Sequence, residues 1–442
     1  MRESKFNNYF TAGDGEKLAF NSYTCALAAV DEKYEMLLSK LDELGRENVP
    51  EELRECYEMA KEGHFIVQDD YDEMTELYTK RNFQKYSIES LGLTIAPTLG
   101  CNFKCIYCYE TSKPGIMQPE VSDKIVEFVE KQSSHLKSLN VTWYGGEPLL
   151  TKELLYSLSE KFIEICNQKK INYEAFIISN GSLLDDATIQ KLIKYQVKGI
   201  QITVDGPPEI HDKRRVNKKG ETTFPIILEN INKLLATNNI EVVLRINVDK
   251  TNDQQVEELI DILDKRLVSK NIRITFGQVT AYTDACKSIE DSCYNNTEFA
   301  GKLLEYYKIL QKYGFDSYNQ FPYPEVKLNY CCAELMNSFV VDPDGYLYKC
   351  WNEVGNIKSA VGNIREDSFD ITGYKNGGWL KRNPLNAAKC KDCTILPVCM
   401  GGCPYNDVAL KQENVCDLIK YNVKNVMLTY YENSKQEAGK EE

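Results

Sequence analysis

Histidine is nearly absent: His64, His135 and His211 are the only three in a chain of 442 residues. That scarcity excludes a His-rich metal site, and each lone imidazole reads as an ordinary surface or core residue. Long apolar runs are missing too. No stretch of 18 apolar residues occurs, and Met1-Arg2-Glu3-Ser4-Lys5 carries no signal-peptide core, so the reading is a cytoplasmic protein that does not engage a membrane. Positive charge is in the minority, 53 Lys and Arg against 66 Asp and Glu for a net charge of -13. A nucleic-acid backbone is therefore not the expected partner. Cysteine breaks the pattern of scarcity, with sixteen residues. In a reducing compartment these read as metal ligands rather than disulfides. The length predicts about two to four domains.

The densest cysteine stretch is Cys101-Asn-Phe-Lys-Cys105-Ile-Tyr-Cys108, directly after the apolar run Leu93-Thr94-Ile95-Ala96-Pro97. Soft thiolates select zinc, copper(I) or iron-sulfur. A structural zinc site uses four protein ligands, whereas three cysteines without a local fourth leave one metal position open. Residue types alone also allow a zinc-stabilised or simply buried loop.

C-x3-C-x2-C with an aromatic, Tyr107, before the last cysteine resembles the radical SAM enzymes. The resemblance implies that Cys101, Cys105 and Cys108 hold a 4Fe-4S cluster whose fourth iron binds S-adenosylmethionine (SAM). One electron from it would cleave SAM to a 5'-deoxyadenosyl radical that takes hydrogen from the substrate.

Alternating strand and helix patterns support that resemblance. Strands are predicted at 93–97, 139–144, 174–179, 199–205, 241–248 and 272–279. Amphipathic helices separate them, one over 151–168 with Leu154, Leu158, Phe162 and Ile165 and another over 253–267 with Val256, Leu259, Ile260 and Leu263. Repeated βαβ units demand a parallel sheet with helices outside. Six units make the partial (β/α)6 barrel of the radical SAM family over residues 91–285, with function expected at the C-terminal strand ends. Gly145-Gly146-Glu147-Pro148 matches the family's Gly-Gly-Glu-Pro. The glycines would let backbone approach the ligand, and the Glu147 carboxylate would accept from the SAM ammonium. Ser179-Asn180-Gly181 matches the segment that lies along SAM in relatives. After Asp205-Gly206-Pro207 comes His211-Asp212-Lys213-Arg214-Arg215, where Arg214 or Arg215 would pair with the SAM carboxylate.

Residues 1–90 read as short strands followed by helices at 33–44, 49–61 and 70–80. This order resembles the winged-helix-like α+β module that recognises leader peptides, binding them as an added strand; a plain structural cap is the alternative. Residues 286–330 read as a bridging helical region and 433–442 as a disordered tail.

Over 331–432 the remaining cysteines resemble the cysteine-rich SPASM domain, which holds two auxiliary 4Fe-4S clusters and would bring the total to three. The resemblance assigns one cluster to Cys390, Cys393, Cys399 and Cys416, and the other to Cys350, Cys403 and one of Cys331 or Cys332. Its fourth ligand stays open, with Cys286 and Cys293 as upstream candidates or an open iron as the alternative. Cys25, Cys56 and Cys166 read as small buried apolar residues.

The implied function is peptide maturation: a thioether or carbon-carbon crosslink installed in a ribosomally synthesised precursor peptide bearing a leader. Flavodoxin or ferredoxin would be the electron donor. Conversion of Cys or Ser to formylglycine, as in anaerobic sulfatase maturases, is the first alternative, and a non-catalytic iron-sulfur carrier or scaffold the second. The sequence ranks no residue as general base.

Overall fold

The computed structural model describes residues 1–41, 49–110, 113–315, 323–366, 374–412 and 415–441. They form two compact units. The larger holds Tyr86–Gln320 and Cys332–Lys381; the smaller holds Met1–Lys85, Phe321–Cys331 and Arg382–Glu442.

In the larger unit six parallel strands lie in chain order: Ser90–Ile95, Ser138–Trp143, Asn172–Ser179, Val197–Thr203, Glu241–Val248 and Arg273–Gln278. A helix follows each strand, as the partial-barrel expectation requires. Lys152–Lys169 buries Leu155, Leu158, Phe162 and Cys166, a stripe one residue round from Leu154 and Ile165. Val256–Arg266 buries all four predicted residues. The sixth helix, Asn296–Lys312, opens with a capping box between Asn295 and Glu298. It packs Tyr306 against Phe276 of the last strand at 4.9 Å between rings, so the stretch expected to bridge two domains completes the barrel. Residues 316–322 of that stretch lie outside the described residues.

A seventh strand, Ser338–Val341, adds parallel to Ser90–Ile95. It turns at Gly345 (φ +83°) into the antiparallel strand Tyr346–Tyr348. This hairpin satisfies the open edge of the first barrel strand. The cysteine-rich region expected over 331–432 is thereby divided: 332–381 cluster with the barrel, and 382–442 with the N-terminal residues.

The smaller unit contains the antiparallel sheet Asn7–Thr11, Lys17–Asn21 and Ala26–Val30. Its helices run Glu32–Ser39, Glu51–Glu62 and Glu73–Lys85. Residues 42–44 of the first predicted helix lie outside the described residues. An unforeseen antiparallel pair joins Arg2–Glu3 to Ile66–Val67. The stretch expected as a disordered tail is helical as far as Glu441 within Leu418–Glu441. Lys435 there pairs with Asp14 at 2.6 Å, and Glu442 is outside the described residues. Among the described residues no helix is long and apolar enough to cross a membrane.

Candidate active site

The three-cysteine loop leaves the C-terminal end of the first barrel strand and is held from three sides. Its short strand Phe103–Cys105 pairs antiparallel with Arg215–Asn217, placing Cys105 opposite Arg215. The Ile106 N–H donates to the Arg214 carbonyl at 3.0 Å, and the Lys218 N–H to the Asn102 carbonyl at 2.9 Å. On another side the Asn180 amide donates to Asn102 Oδ1 at 2.7 Å, and the Asn102 amide donates to Ser182 Oγ at 3.0 Å. The segment read as lying along SAM therefore also steadies the residue after Cys101.

The third restraint is Gly145-Gly146-Glu147. The Gly146 N–H donates to the Thr98 carbonyl at 3.1 Å and the Glu147 N–H to the Gly100 carbonyl at 3.0 Å. A Cβ on Gly145 (φ +110°) would sit 2.4 Å from Thr98 O, and one on Gly146 would sit 2.3 Å from Gly100 O. The close approach that demands these glycines within the fold is to the backbone of the cysteine loop. Glu147 is fully buried. Its Oε1 accepts from the Leu149 N–H and Ser179 Oγ at 3.1 and 2.9 Å, and its Oε2 accepts from the Asn180 N–H at 2.7 Å. Burial pushes this carboxyl up while these donors hold it down. Three of about four acceptor positions are taken, so Glu147 first straps two strand ends together. Pro148 begins the 3-10 turn Pro148–Thr151 that this carboxylate caps.

Tyr107 is the hub of a second network. Its hydroxyl donates to Asp205 Oδ2, and accepts from Arg215 Nη1 at 2.7 Å and from the Asn247 amide at 3.2 Å. Asp205, itself buried, also accepts from the Asn247 N–H at 3.0 Å. Arg214 is committed elsewhere. Its Nη1 donates to both Asp249 oxygens at 3.0 and 2.9 Å and to Thr251 Oγ1 at 2.6 Å. Both members of this ion pair are buried, so its guanidinium holds Asp249 at the end of the fifth strand. Arg215 lies over the Phe103 ring and beside Cys105.

The fifth strand supplies a residue that sequence reasoning passed over. Arg245 donates from Nε to Asn247 Oδ1 at 2.8 Å, and among the described residues no ion pair with a carboxylate involves it. Burial lowers its pKa, with Tyr107, Asp205, Tyr144 and Tyr282 near enough to oppose that shift. Gly277 makes room for it, since a Cβ there would lie 2.2 Å from Arg245 Nη2. The signal was present: Arg245 and Asn247 interrupt the apolar run Val242-Val243-Leu244-x-Ile246-x-Val248 at alternate positions, which places both on one face of a buried strand. His211, by contrast, is a satisfied core histidine. It is buried, accepts the Asp205 N–H at 3.4 Å, and is driven down to about 3 by desolvation.

The donor set of the loop suits an iron-sulfur cube. Burial pushes the Cys101 thiol up to about 12 and raises Cys105 too, with Arg215 opposing the latter shift. Such thiols ionise at neutral pH when a metal takes the proton's place. Among the described residues no three His, Cys, Asp or Glu side chains converge tightly enough to hold a single ion; on a cube each thiolate takes a different iron, so no such convergence is needed.

The other predicted ligands are divided between the units. Cys332 and Cys350 belong to the larger, and Cys331, Cys390, Cys393, Cys399, Cys403 and Cys416 to the smaller. Trp351, next to Cys350, packs on Tyr144 at 5.3 Å between rings. Cys286 is buried at the barrel end, its thiol 3.3 Å from the Thr283 carbonyl. Cys166 is buried in a barrel helix, while Cys25 and Cys56 pack on the rims of apolar clusters in the smaller unit.

Residues 95–263 match the Radical SAM superfamily, whose members bind SAM and a 4Fe-4S cluster. The chain is 24% identical over 348 residues to a cysteine-type anaerobic sulfatase-maturating enzyme of Clostridium novyi (strain NT), covering 72% of this chain and 89% of that one. Among solved structures it is similar to native anSMEcpe with bound AdoMet and Kp18Cys peptide, with a TM-score of 0.60, 21% identity, and coverage of 78% of this chain and 98% of that one. It is also similar to Streptococcus suis SuiB bound to precursor peptide SuiA, with a TM-score of 0.55, 14% identity, and coverage of 94% and 98%. With six strands in barrel order and a three-thiol loop at the first strand's end, the larger unit carries a domain, residues 95–263, that matches the Radical SAM superfamily.

Proposed function

We propose that the protein is a peptide maturase that crosslinks a ribosomally synthesised precursor through a thioether or carbon-carbon bond. The observation that carries this reading is the N-terminal sheet. Among the described residues its last strand, Ala26–Val30, pairs on one side only, with Lys17–Asn21, and an extended leader would add there as a further strand. SuiB, similar in fold over 94% of this chain, was solved with its precursor peptide, in keeping with such a substrate. Formylglycine formation remains the second reading, favoured by the relative from Clostridium novyi.

When bound, SAM and the cluster on Cys101, Cys105 and Cys108 supply the radical that removes a substrate hydrogen. The chain's own residues position and shield. Gly145-Gly146 and Asn180 hold the loop, Tyr107 joins it to Asp205 and Arg215, and Arg245 offers a guanidinium to a ligand carboxylate. Auxiliary clusters on the C-terminal cysteines, exchanging electrons with a flavodoxin or ferredoxin, would take the electron that bond formation leaves behind.

Arg245→Ala is expected to weaken SAM binding about 10- to 100-fold, the worth of one charge-assisted hydrogen bond of about 1.5–3 kcal/mol. Anaerobic calorimetry on the reconstituted enzyme reads this. Arg214→Ala should instead lower thermal stability, because it leaves Asp249 buried and unpaired. Equal SAM affinity in wild type and Arg245→Ala would remove Arg245 from the binding role.

Incubating reconstituted enzyme with SAM, a reductant and a cysteine-bearing precursor peptide encoded nearby, followed by mass spectrometry, tests the reaction. Loss of a hydrogen pair per modification with a matching loss of alkylatable thiols identifies a thioether. The same mass loss with every thiol free identifies a carbon-carbon bond. An aldehyde on a sulfatase-derived peptide, with the precursor untouched, would replace this reading by the second.

A further inference from the structure

The smaller unit joins the two ends of the chain through the cysteines themselves. Phe6, Tyr23 and Leu77 form one apolar core with Cys390, Leu396 and Met400. Phe20, fully buried, forms another with Val398, Cys399, Val426 and Met427, with Cys393 and Cys416 packed at its edge. Polar links run alongside. Thr394 Oγ1 donates to Asn8 Oδ1 at 2.5 Å, and the Thr394 carbonyl accepts from Ser22 Oγ. The Arg382 carbonyl accepts from Arg81 Nη2 and Lys85 Nζ at 3.0 and 2.9 Å, all buried.

The cysteine segment has little regular structure of its own: among the described residues between Arg382 and Asp417 the helices are the four residues Leu396–Cys399, the five residues Pro404–Val408 and one 3-10 turn. Met400, Gly401 and Gly402 are all left-handed, at φ 46°, 74° and 73°. A Cβ on Gly402 would lie 2.0 Å from Val415 O. This crossing carries Cys416 back against the Cys399 turn. Metal ligation would tie the crossing shut and supply folding free energy to the core around it.

We propose that occupancy of Cys390, Cys393, Cys399 and Cys416 by a metal cluster and the order of the N-terminal sheet form one thermodynamic unit. Losing the cluster frees Asn7–Thr11 and Lys17–Asn21 and so switches off peptide capture. The consequence for capture rests on the peptide-binding reading above; the coupling does not. Because coupling is reciprocal, disturbing the sheet must loosen the cluster by the same factor.

Hydrogen exchange on the anaerobically reconstituted full chain tests this. In Cys416→Ser, amides of Lys17–Asn21 are expected to exchange about tenfold faster, within the usual range of such couplings, while those of Ser90–Ile95 keep their protection. In Phe20→Ala, a fraction of the bound iron should pass to a chelator about tenfold faster than in wild type. Unchanged N-terminal exchange, equal loss of protection in the barrel strand, or wild-type iron release from Phe20→Ala would each overturn the proposal. Should the coupling hold while a precursor peptide binds the loaded and depleted forms equally, the coupling stands and the sheet is not the peptide site.

Discussion

Cys105→Ala is expected to make no 5'-deoxyadenosine from SAM, while the C-terminal cysteines keep their iron. The loop has no spare thiol: Cys101, Cys105 and Cys108 are the only cysteines between residues 97 and 110. The central one is fixed in place by pairing with Arg215 and by the Ile106 N–H bond to the Arg214 carbonyl. A substitute ligand would have to break that short sheet to arrive. Two thiolates retain a cluster poorly, and the open iron that takes SAM exists only when the other three are held. Iron and sulfide counts should fall by the share of one cluster, and chromatography of the SAM products should show none above background. Normal 5'-deoxyadenosine production by this variant would sink the assignment of the loop.

The second large effect is expected from Gly146→Ala, a change of one methyl group. That Cβ would lie 2.3 Å from Gly100 O, 2.5 Å from Gly100 C and 2.8 Å from Leu99 O. All three are backbone atoms and cannot swing aside, so the cysteine loop must retreat from the strand end. Overpacking of this kind costs about 1–3 kcal/mol. It also endangers the bonds from Gly146 N–H to Thr98 O and from Glu147 N–H to Gly100 O. Iron at the loop and SAM cleavage should both drop by at least about tenfold, the equivalent of roughly 1.4 kcal/mol in positioning. Gly301→Ala is the control: nothing lies within 4 Å of its Cβ inside the helix Asn296–Lys312, so it should add about 0.5–1 kcal/mol of stability and leave iron unchanged. Equal behaviour of the two variants would mean that the glycine pair is not what seats the loop.

Removing residues 1–85 is a poorer probe of peptide binding than the sequence suggests. The deletion would strip Phe6, Phe20, Tyr23 and Leu77 from the cores that enclose Cys390 and Cys399, so folding of the C-terminal segment would be lost together with any binding surface. Point changes along Ala26–Val30, such as a proline that denies one edge N–H, disturb the free edge alone.

The order of the barrel was legible because its strands bury mainly alternate, apolar residues and are separated by amphipathic helices. Their C-terminal ends carry short motifs whose spacing is local. The cysteine loop was legible for the same reason: its chemistry lies within eight residues. Roles that depend on which side chain meets which were not. Arg214 and Arg215 are neighbours in sequence, yet Asp249 claims the first and Tyr107 the second, while Arg245, unnoticed on a middle strand, pairs with no carboxylate among the described residues. Gly145 and Gly146 were recognisable as a motif, but only the third dimension shows that they accommodate the backbone at Thr98 and Gly100.

The sequence by itself therefore determined the three-thiol motif and the βα alternation, since both rest on residue types and periods that local covalent geometry imposes. Tertiary structure alone decided how the cysteine-rich region is shared. Tyr346–Tyr348 joins the barrel sheet, while Cys390–Cys416 folds around strands that begin the chain. No local pattern announces that Phe20 will lie against Val426. Such pairing is chosen by the burial of complementary apolar faces, and that burial operates between segments without regard to their separation along the chain.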